Sequence, residues 1–399
     1  MRRVFLVSVF VVFLIFGFWG CKFEWGEVTE LDYDRALPPG ESALRKIRDP
    51  RLYPDFTLGC LDLTGLEEAI DNSLNYLSKP SSERYFPKCG ISHHRVVESL
   101  EAVKGLLDSG LRGAELSEAM ERKFDVYMSV GYDGEGTVLY TGYYTPIFEG
   151  SPVRTERFRY PLYKKPDNLV QTFDGEILGR RLADGSVEPY PGRAVIESSD
   201  ILEGKELVWL DDPFKVYVAH VQGSAKIRMP DGELITVGYA ASNGHEYKSV
   251  GKKLVEDGVF SESELSLSSM LSYFEGKPEL VREYTSFNPR FIFFRKQKGA
   301  PRGSLNEPVT EWRTIATDKS IFPRAAVTFV RTYLPQYDNG EVVQEIYSGF
   351  ALDQDTGGAV RAAGRCDFYM GIGEKAGKLA GRTRKEGKLY YLFVKENQE

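Results

Sequence analysis

The chain has 399 residues, of which 42% are hydrophobic and 27% charged, which sets aside a largely disordered or fibrous protein and leaves room for two or three domains. Its formal net charge of −7 excludes bulk nucleic-acid binding, which requires a dense basic surface against phosphate. The 23 Tyr and 24 Phe suit a β-rich core, and also a cleft in which rings stack on sugars.

In chain order, Arg2 and Arg3 precede an apolar run from Val4 to Trp19 and then Gly20-Cys21. A charged start, an apolar stretch and a small residue before cysteine read as an export signal over residues 1–20, with Cys21 as a lipid-attachment site. An uncleaved anchor is the alternative, and either way the protein is expected to be exported and tethered; Lys22 after the cysteine resembles the outer-membrane-sorted class of lipoproteins, which implies an outer-membrane protein facing the periplasm. Residues 21–60 contain Leu37-Pro38-Pro39-Gly40 and read as a tether. In an oxidising compartment a Cys60–Cys89 bridge is permitted, as are free thiols.

Helical spacing follows in Leu63, Leu66, Ile70, Leu74 and Leu77, then from Ser92 to Leu107, then from Glu115 to Phe124. From Tyr132 the chain turns β-rich. Val138 to Pro146 is aromatic and β-branched, and Val216 to Val221, Ala225 to Met229 and Leu234 to Tyr239 read as successive strands, with a Pro230-Asp231-Gly232 turn. Helical spacing returns from Ser261 to Phe274 and from Glu374 to Ala380. Phe291–Phe294, Ala326–Val330, Ser348–Leu352 and Tyr390–Val394 are further short strands. Short strands with Gly-rich connections predict barrels rather than a doubly wound sheet.

The four histidines are scattered, and neither His-Glu-x-x-His nor paired Cys-x-x-Cys occurs, so no metal or cofactor is expected. There is no Gly-x-Ser-x-Gly elbow and no third glycine after Gly371-Ile372-Gly373 at dinucleotide-binding spacing. What remains is carboxylate chemistry or simple binding. Asp355 precedes Thr356-Gly357-Gly358-Ala359, Asp367 opens an aromatic run 12 residues later, and Asp318 lies upstream. A carboxylic acid protonates a glycosidic oxygen when its surroundings raise its pKa, and these three aspartates supply such a set if their strands meet in one cleft.

Several blocks in one order resemble the MltA family of membrane-bound lytic murein transglycosylases. They are Thr141-Gly142-Tyr143-Tyr144-Thr145-Pro146, Val221-Gln222-Gly223-Ser224, Gly238 to Gly244, Asn288 to Arg295, and the Asp318, Asp355 and Arg365-Cys366-Asp367 blocks of the three-aspartate (3D) domain. The resemblance implies a mainly β fold with some helices: a double-psi β-barrel from residues 61–145 and 290–399, with the 3D region at about 310–399. A second β-rich, barrel-like domain at 146–289 would be inserted into it, with a glycan-binding cleft between the two. It further implies non-hydrolytic cleavage of the MurNAc–GlcNAc β-1,4 bond of peptidoglycan to give 1,6-anhydromuramic ends. Asp367 would be the single acid and base, Asp355 a supporting carboxylate and Asp318 a structural acid. Thr141, Tyr143, Gln222 and Ser224 would bind sugar. The partners implied are glycan strands and, through the lipid, the membrane; the protein would act as a monomer. A hydrolase using Asp355 and Asp367 as a pair, and a non-catalytic wall-binding lipoprotein, are the alternatives.

The sequence departs from the family in two places. Ile321-Phe322-Pro323-Arg324-Ala325 replaces a Pro-Leu/Met-Gly turn and loses its glycine, and Ala362-Ala363-Gly364 stands where a Lys/Arg-Gly pair is common. Arg365 also shares a strand face with Asp367, so its guanidinium is expected to pull the pKa of that acid down unless it points elsewhere.

Overall fold

The computed structural model describes residues 31–173, 175–262 and 264–396. The expected leader and Cys21 lie outside the described residues. From Tyr33 onward the described residues form one compact unit built around two β bodies.

The first body is a closed six-stranded barrel. Its strands follow the ring order Arg384–Val394, Val327–Asp338, Glu341–Asp355, Thr314–Ala316, Arg365–Ile372 and Val138–Thr145, and the last pairs back onto the first. Two of the six seams are parallel: Thr314–Ala316 on Glu341–Asp355, and Arg365–Ile372 on Val138–Thr145. Alternate residues of these strands point inward. They fill the barrel with Val138, Tyr140, Ile315, Val330, Phe368 and Leu389, all buried. The C-terminal strand changes partner along its length. Arg384–Gly387 closes the ring against Thr141–Val138, whereas Tyr390–Val394 pairs with Met128–Phe124 of an outer strand. Gly387 sits at this change of partner, where a Cβ would lie 2.3 Å from the Arg331 carbonyl oxygen.

The helices Leu66–Leu77, His93–Asp108 and Gly113–Lys123 cover this body with the faces their spacing predicts. Ser92 caps the second by accepting from Arg95 N. The tether reading of residues 21–60 fails over its second half. Leu44–Lys46 adds an edge strand against Tyr127–Ser129, and Ala43, Leu44, Phe56 and Cys60 are buried in the hydrophobic core that surrounds the barrel, with Phe56 against Phe329 and Phe350. Their apolar side chains have more to gain inside than in a solvated linker. Cys60, Cys89 and Cys366 are all free thiols, so the permitted bridge is not formed.

The second body is a six-stranded sheet in the order Ile292–Gln297, Leu234–Ser242, Ser224–Arg228, Ile147–Ser151, Glu206–Leu210 and Tyr160–Tyr163. It curls until its two end strands meet at a Lys164–Phe294 bridge. Strand Ile292–Gln297 belongs to this sheet, so the inserted region runs past the expected boundary at 289. Phe214, Phe274, Leu210, Ile227 and Phe294 form its core.

One strand expectation is overturned. Val216–Val221 is part of the helix Pro213–Gln222, not a strand. Asp212 accepts from Phe214 N and Lys215 N, Pro213 occupies the first turn, and Gly223 ends the helix in the left-handed conformation at φ 73°. These start and stop signals outweigh the β preference of Val216, Tyr217 and Val218. The helix Pro278–Thr285, also started by proline, escapes the sequence reading as well.

Inside the barrel Lys319 Nζ donates to Asp353, which also accepts from Thr317 Oγ1 and, at 2.8 Å, from Tyr391 Oη. Burial opposes both charges, raising the Asp353 pKa and lowering that of Lys319, while each charge supports the other. Removing one member of such a pair strands the other in a low dielectric. Lys319→Met is expected to cost about 3–5 kcal/mol, read as a lower urea midpoint.

Candidate active site

The site is assembled by register. Ala316 stands opposite Asp355 on one side and Asp367 on the other, so the short strand Thr314–Ala316 separates the two aspartates. At ordinary strand spacing their Cα atoms lie roughly 10 Å apart. Asp367 in turn stands opposite Thr141 across the parallel seam.

Thr141 and Tyr143 are two residues apart on that strand and so share a face. Each serves one aspartate: Thr141 Oγ1 donates to Asp367 Oδ1, and Tyr143 Oη donates to Asp355 Oδ2 at 3.0 Å. Gly142 between them is required by packing, because a Cβ there would stand 2.7 Å from Ala380 Cα in the helix Gly373–Ala380. Asp355 Oδ1 accepts at 2.8 Å from both Ser304 N and Thr356 N. Gly303 allows that approach, since its Cβ would lie 3.0 Å from the Asp355 carboxyl carbon.

Burial raises the pKa of Asp367 above the ordinary carboxylate range, against the opposing pull of Arg365 and the Thr141 hydrogen bond. The conflict over Arg365 is thus resolved by geometry. Its Nη2 is 3.8 Å from Asp367 Oδ1 and 3.4 Å from Thr141 Oγ1, while its Nη1 turns to Asp34 at 3.5 Å. The cation is shared, and desolvation outweighs it. The Asp367 side chain keeps 19% of its surface, enough to meet a ligand. Asp355 is also raised by burial, opposed by its Ser304, Thr356 and Tyr143 hydrogen bonds.

Both aspartates line a cavity of about 480 Å³ bounded by residues of both β bodies. Tyr143, Gln222 and Ser224 line it too. Gln222 Oε1 accepts from Tyr144 N at 3.1 Å, and Ser224 Oγ lies 3.3 Å from Thr145 Oγ1, so these residues also tie the second body to the strand Val138–Thr145. Thr141 stands behind Asp367 rather than on the cavity wall. Asp318 lies away from the cavity, its Oδ1 accepting from Ser320 N and Oγ and its Oδ2 from Ala362 N at 3.0 Å. It joins the two turns in which the sequence departs from the family pattern.

Those departures have a backbone consequence. Ala325 at φ 61° and Ala362 at φ 62° hold the left-handed conformation that glycine adopts freely.

Sequence reasoning missed the cationic part of the wall, Arg290, Arg295, Arg302 and Arg361. Arg290 and Arg295 fall inside the Asn288–Arg295 block, and Arg361 precedes a segment read only as a departure, so position in a motif was the one available signal. Among the described residues no three His, Cys, Asp or Glu side chains converge as a metal site requires.

Fold and site together define a two-body β protein centred on a pair of cleft aspartates. Residues 139–295 match the MltA specific insert domain and residues 313–393 match the 3D domain. The chain is 30% identical over 284 residues to membrane-bound lytic murein transglycosylase A of Escherichia coli K12, covering 70% of this chain and 72% of that protein. Among solved structures it resembles a membrane-bound lytic murein transglycosylase from Agrobacterium tumefaciens, with a TM-score of 0.73 at 24% identity over 88% of this chain and 98% of that one. It also resembles E. coli MltA with bound chitohexaose, with a TM-score of 0.67 at 25% identity over 91% of this chain and 97% of that one. The chain belongs to the family of membrane-bound lytic murein transglycosylase A.

Two outcomes test the site. Thr141→Val removes a hydrogen bond that favours the charged form of Asp367, so its pKa rises further; the alkaline limb of a pH–rate profile should move to higher pH, and Thr141→Ser should restore it. Ala325→Gly should relieve left-handed strain, raising the urea midpoint by the equivalent of about 1 kcal/mol.

Proposed function

We propose that this protein is a lytic transglycosylase that cleaves the MurNAc–GlcNAc β-1,4 bond of peptidoglycan and leaves 1,6-anhydromuramic ends. The observation that carries the reading is Asp367, on the wall of a cleft between two β bodies and raised toward its protonated form by burial. Family membership supports the substrate class.

Asp367 begins as the neutral acid and gives its proton to the glycosidic oxygen as the C1–O bond breaks. The resulting carboxylate then takes the proton of the C6 hydroxyl as that oxygen closes on C1. The proton returns to Asp367, no water is consumed, and one carboxyl group serves both halves. The Thr141 donor and the nearby Arg365 stabilise the carboxylate between the two transfers, while burial stabilises the acid before the first. Both states are thereby kept within reach. Asp355, fixed by two backbone N–H groups and Tyr143, supports the positive charge developing at C1. Asp318 keeps the two turns behind the aspartates in place. Tyr143, Gln222 and Ser224 offer hydrogen bonds to sugar hydroxyl and N-acetyl groups.

Among the described residues no helix is long and apolar enough to cross a membrane. Membrane attachment is assigned instead to lipid on Cys21 after removal of the leader, with the enzyme a monomer facing the periplasm.

Product analysis by mass spectrometry tests this reading. Purified peptidoglycan treated with the protein should release anhydro-muropeptides, and Asp367→Asn should lower the rate by about 10²–10⁴-fold without lowering thermal stability. Free reducing ends in place of anhydro ends would mean hydrolysis and overturn the lytic mechanism.

A further inference from the structure

Among the described residues, the charged groups that act on Asp367 are Arg365 and Asp34. The other titratable groups facing it are Cys366 on its own strand, Tyr143 on the strand Val138–Thr145 and Tyr247 from the second body. Burial pushes all three up, so they stay neutral wherever Asp367 titrates. The strand Thr314–Ala316 brings no titratable side chain, and Arg384, opposite Thr141 on the C-terminal strand, lies beyond Thr141 and acts on Tyr33. Tuning of the acid by charge therefore falls to the Arg365 guanidinium and to whatever fixes its position.

That guanidinium is held from its two ends. Its Nε is buried and has no hydrogen-bond partner among the described residues. Nη2 faces the site, 3.4 Å from Thr141 Oγ1 and 3.8 Å from Asp367 Oδ1, while Nη1 faces Asp34 Oδ1 at 3.5 Å. Take Asp34 away, and among the described residues the carboxylate left within ion-pair reach is that of Asp367. A cation released from one carboxylate is drawn toward the other, and a loosely paired acid becomes a closely paired carboxylate.

Asp34 is itself seated. Tyr33 Oη donates to Glu386 at 2.7 Å, and the Tyr33 ring packs edge-on against Tyr132 with centroids 4.8 Å apart. Burial and then the Glu386 hydrogen bond push the Tyr33 phenol up to about 12, so it remains a donor while Asp367 titrates. Gly364 makes room for the crossing, because a Cβ there would stand 2.5 Å from the Tyr33 carbonyl oxygen. Gly364 directly precedes Arg365, so the seat and the cation it serves share one stretch of backbone. Asp34 also lies a short way beyond Cys21, on the stretch through which the proposed lipid anchor joins the body.

We propose that Asp34, seated by Tyr33, is a positioning residue for the cleavage reaction: it holds Arg365 back from Asp367 and so keeps that acid able to deliver its proton. The inference rests on the cleavage reading above and adds to it a residue outside both β bodies. With Asp34 in place the guanidinium is divided between two carboxylates, and burial keeps Asp367 protonated to higher pH. With Asp34 neutralised, the lost negative charge and the freed cation both favour the carboxylate of Asp367. The protonated form that starts the reaction then disappears at lower pH. The Asp34 side chain keeps 50% of its surface, so the pair is screened by solvent and its effect is modest.

The test is a pH–rate profile of the full chain in detergent, reading anhydro-muropeptide release from purified peptidoglycan by mass spectrometry. Asp34→Asn should move the alkaline limb to lower pH and lower the rate on that limb by about two- to fivefold, the scale of a half-exposed ion pair. Asp34→Glu, which keeps the charge, should retain most of the parent limb. Tyr33→Phe, which removes the Glu386 hydrogen bond, should move the limb in the same direction by less. Arg365→Gln should move it to higher pH. Adding Asp34→Asn on that background should shift it by less than about half as much as in the parent, because the cation through which Asp34 acts is gone. A limb unmoved by Asp34→Asn in a protein that cleaves, a uniform fall in rate at every pH, or an equal shift with and without Arg365 overturns the proposal and leaves the cleavage reading intact. A parent that releases no anhydro-muropeptides overturns the cleavage reading and the positioning role with it. Asp34→Asn alone reads the direction of the shift should the double variant unfold, since that side chain stands half in solvent.

Discussion

The parallel seam between Val138–Thr145 and Arg365–Ile372 is the interaction on which the rest depends. It sets Thr141 beside Asp367 and, two residues on, brings Tyr143 within reach of Asp355, so a single strand orients both carboxylates. The same strand closes the barrel against Arg384–Gly387 and then leaves it through Pro146 to become the strand Ile147–Ser151 of the second body. Its last residues meet Gln222 and Ser224 from across the cleft. Barrel closure, aspartate geometry and cleft wall are therefore fixed by one set of ladder hydrogen bonds, and none of them can move far without the others.

Within that frame Asp367 is a balance of opposed effects. Desolvation favours the acid, while a hydroxyl donor and a shared guanidinium favour the carboxylate. In the mechanism proposed above, such a balance serves an acid that gives up a proton and then recovers one, because a strong bias either way would slow one of the two transfers. Asp34 contributes by drawing one end of Arg365 away from the site. A residue in the stretch read as tether thus takes part in the electrostatics of the cleft.

The buried polar groups divide by what they face. Asp353, Lys319 and Tyr391 satisfy one another within the barrel and have no route to a ligand. Asp318 fastens two turns and is likewise turned from the cavity. Asp355, Asp367 and the arginines border open space instead. Proximity in sequence does not separate these classes: Asp353 and Asp355 are neighbours on one strand with different fates, because a β-bulge in the register with Ile315–Ala316 falls between them.

Much of the molecule was legible in the chain. Apolar spacing located the helices Leu66–Leu77 and His93–Asp108, and β-branched runs located most barrel strands, because local periodicity must match the face each element buries. Ordered blocks around Thr141, Gln222, Asp355 and Asp367 carried the family and drew attention to the aspartates. Local signals failed where two of them competed, as at Pro213–Gln222, where caps prevailed over β preference. They also failed where burial depends on distant partners, as for Phe56 and Cys60. Only the tertiary structure decided that Thr141 holds Asp367 and that Arg365 is shared with Asp34. Pairing between strands more than 200 residues apart is set by barrel closure, and the pKa of an acid is set by the groups that closure brings around it.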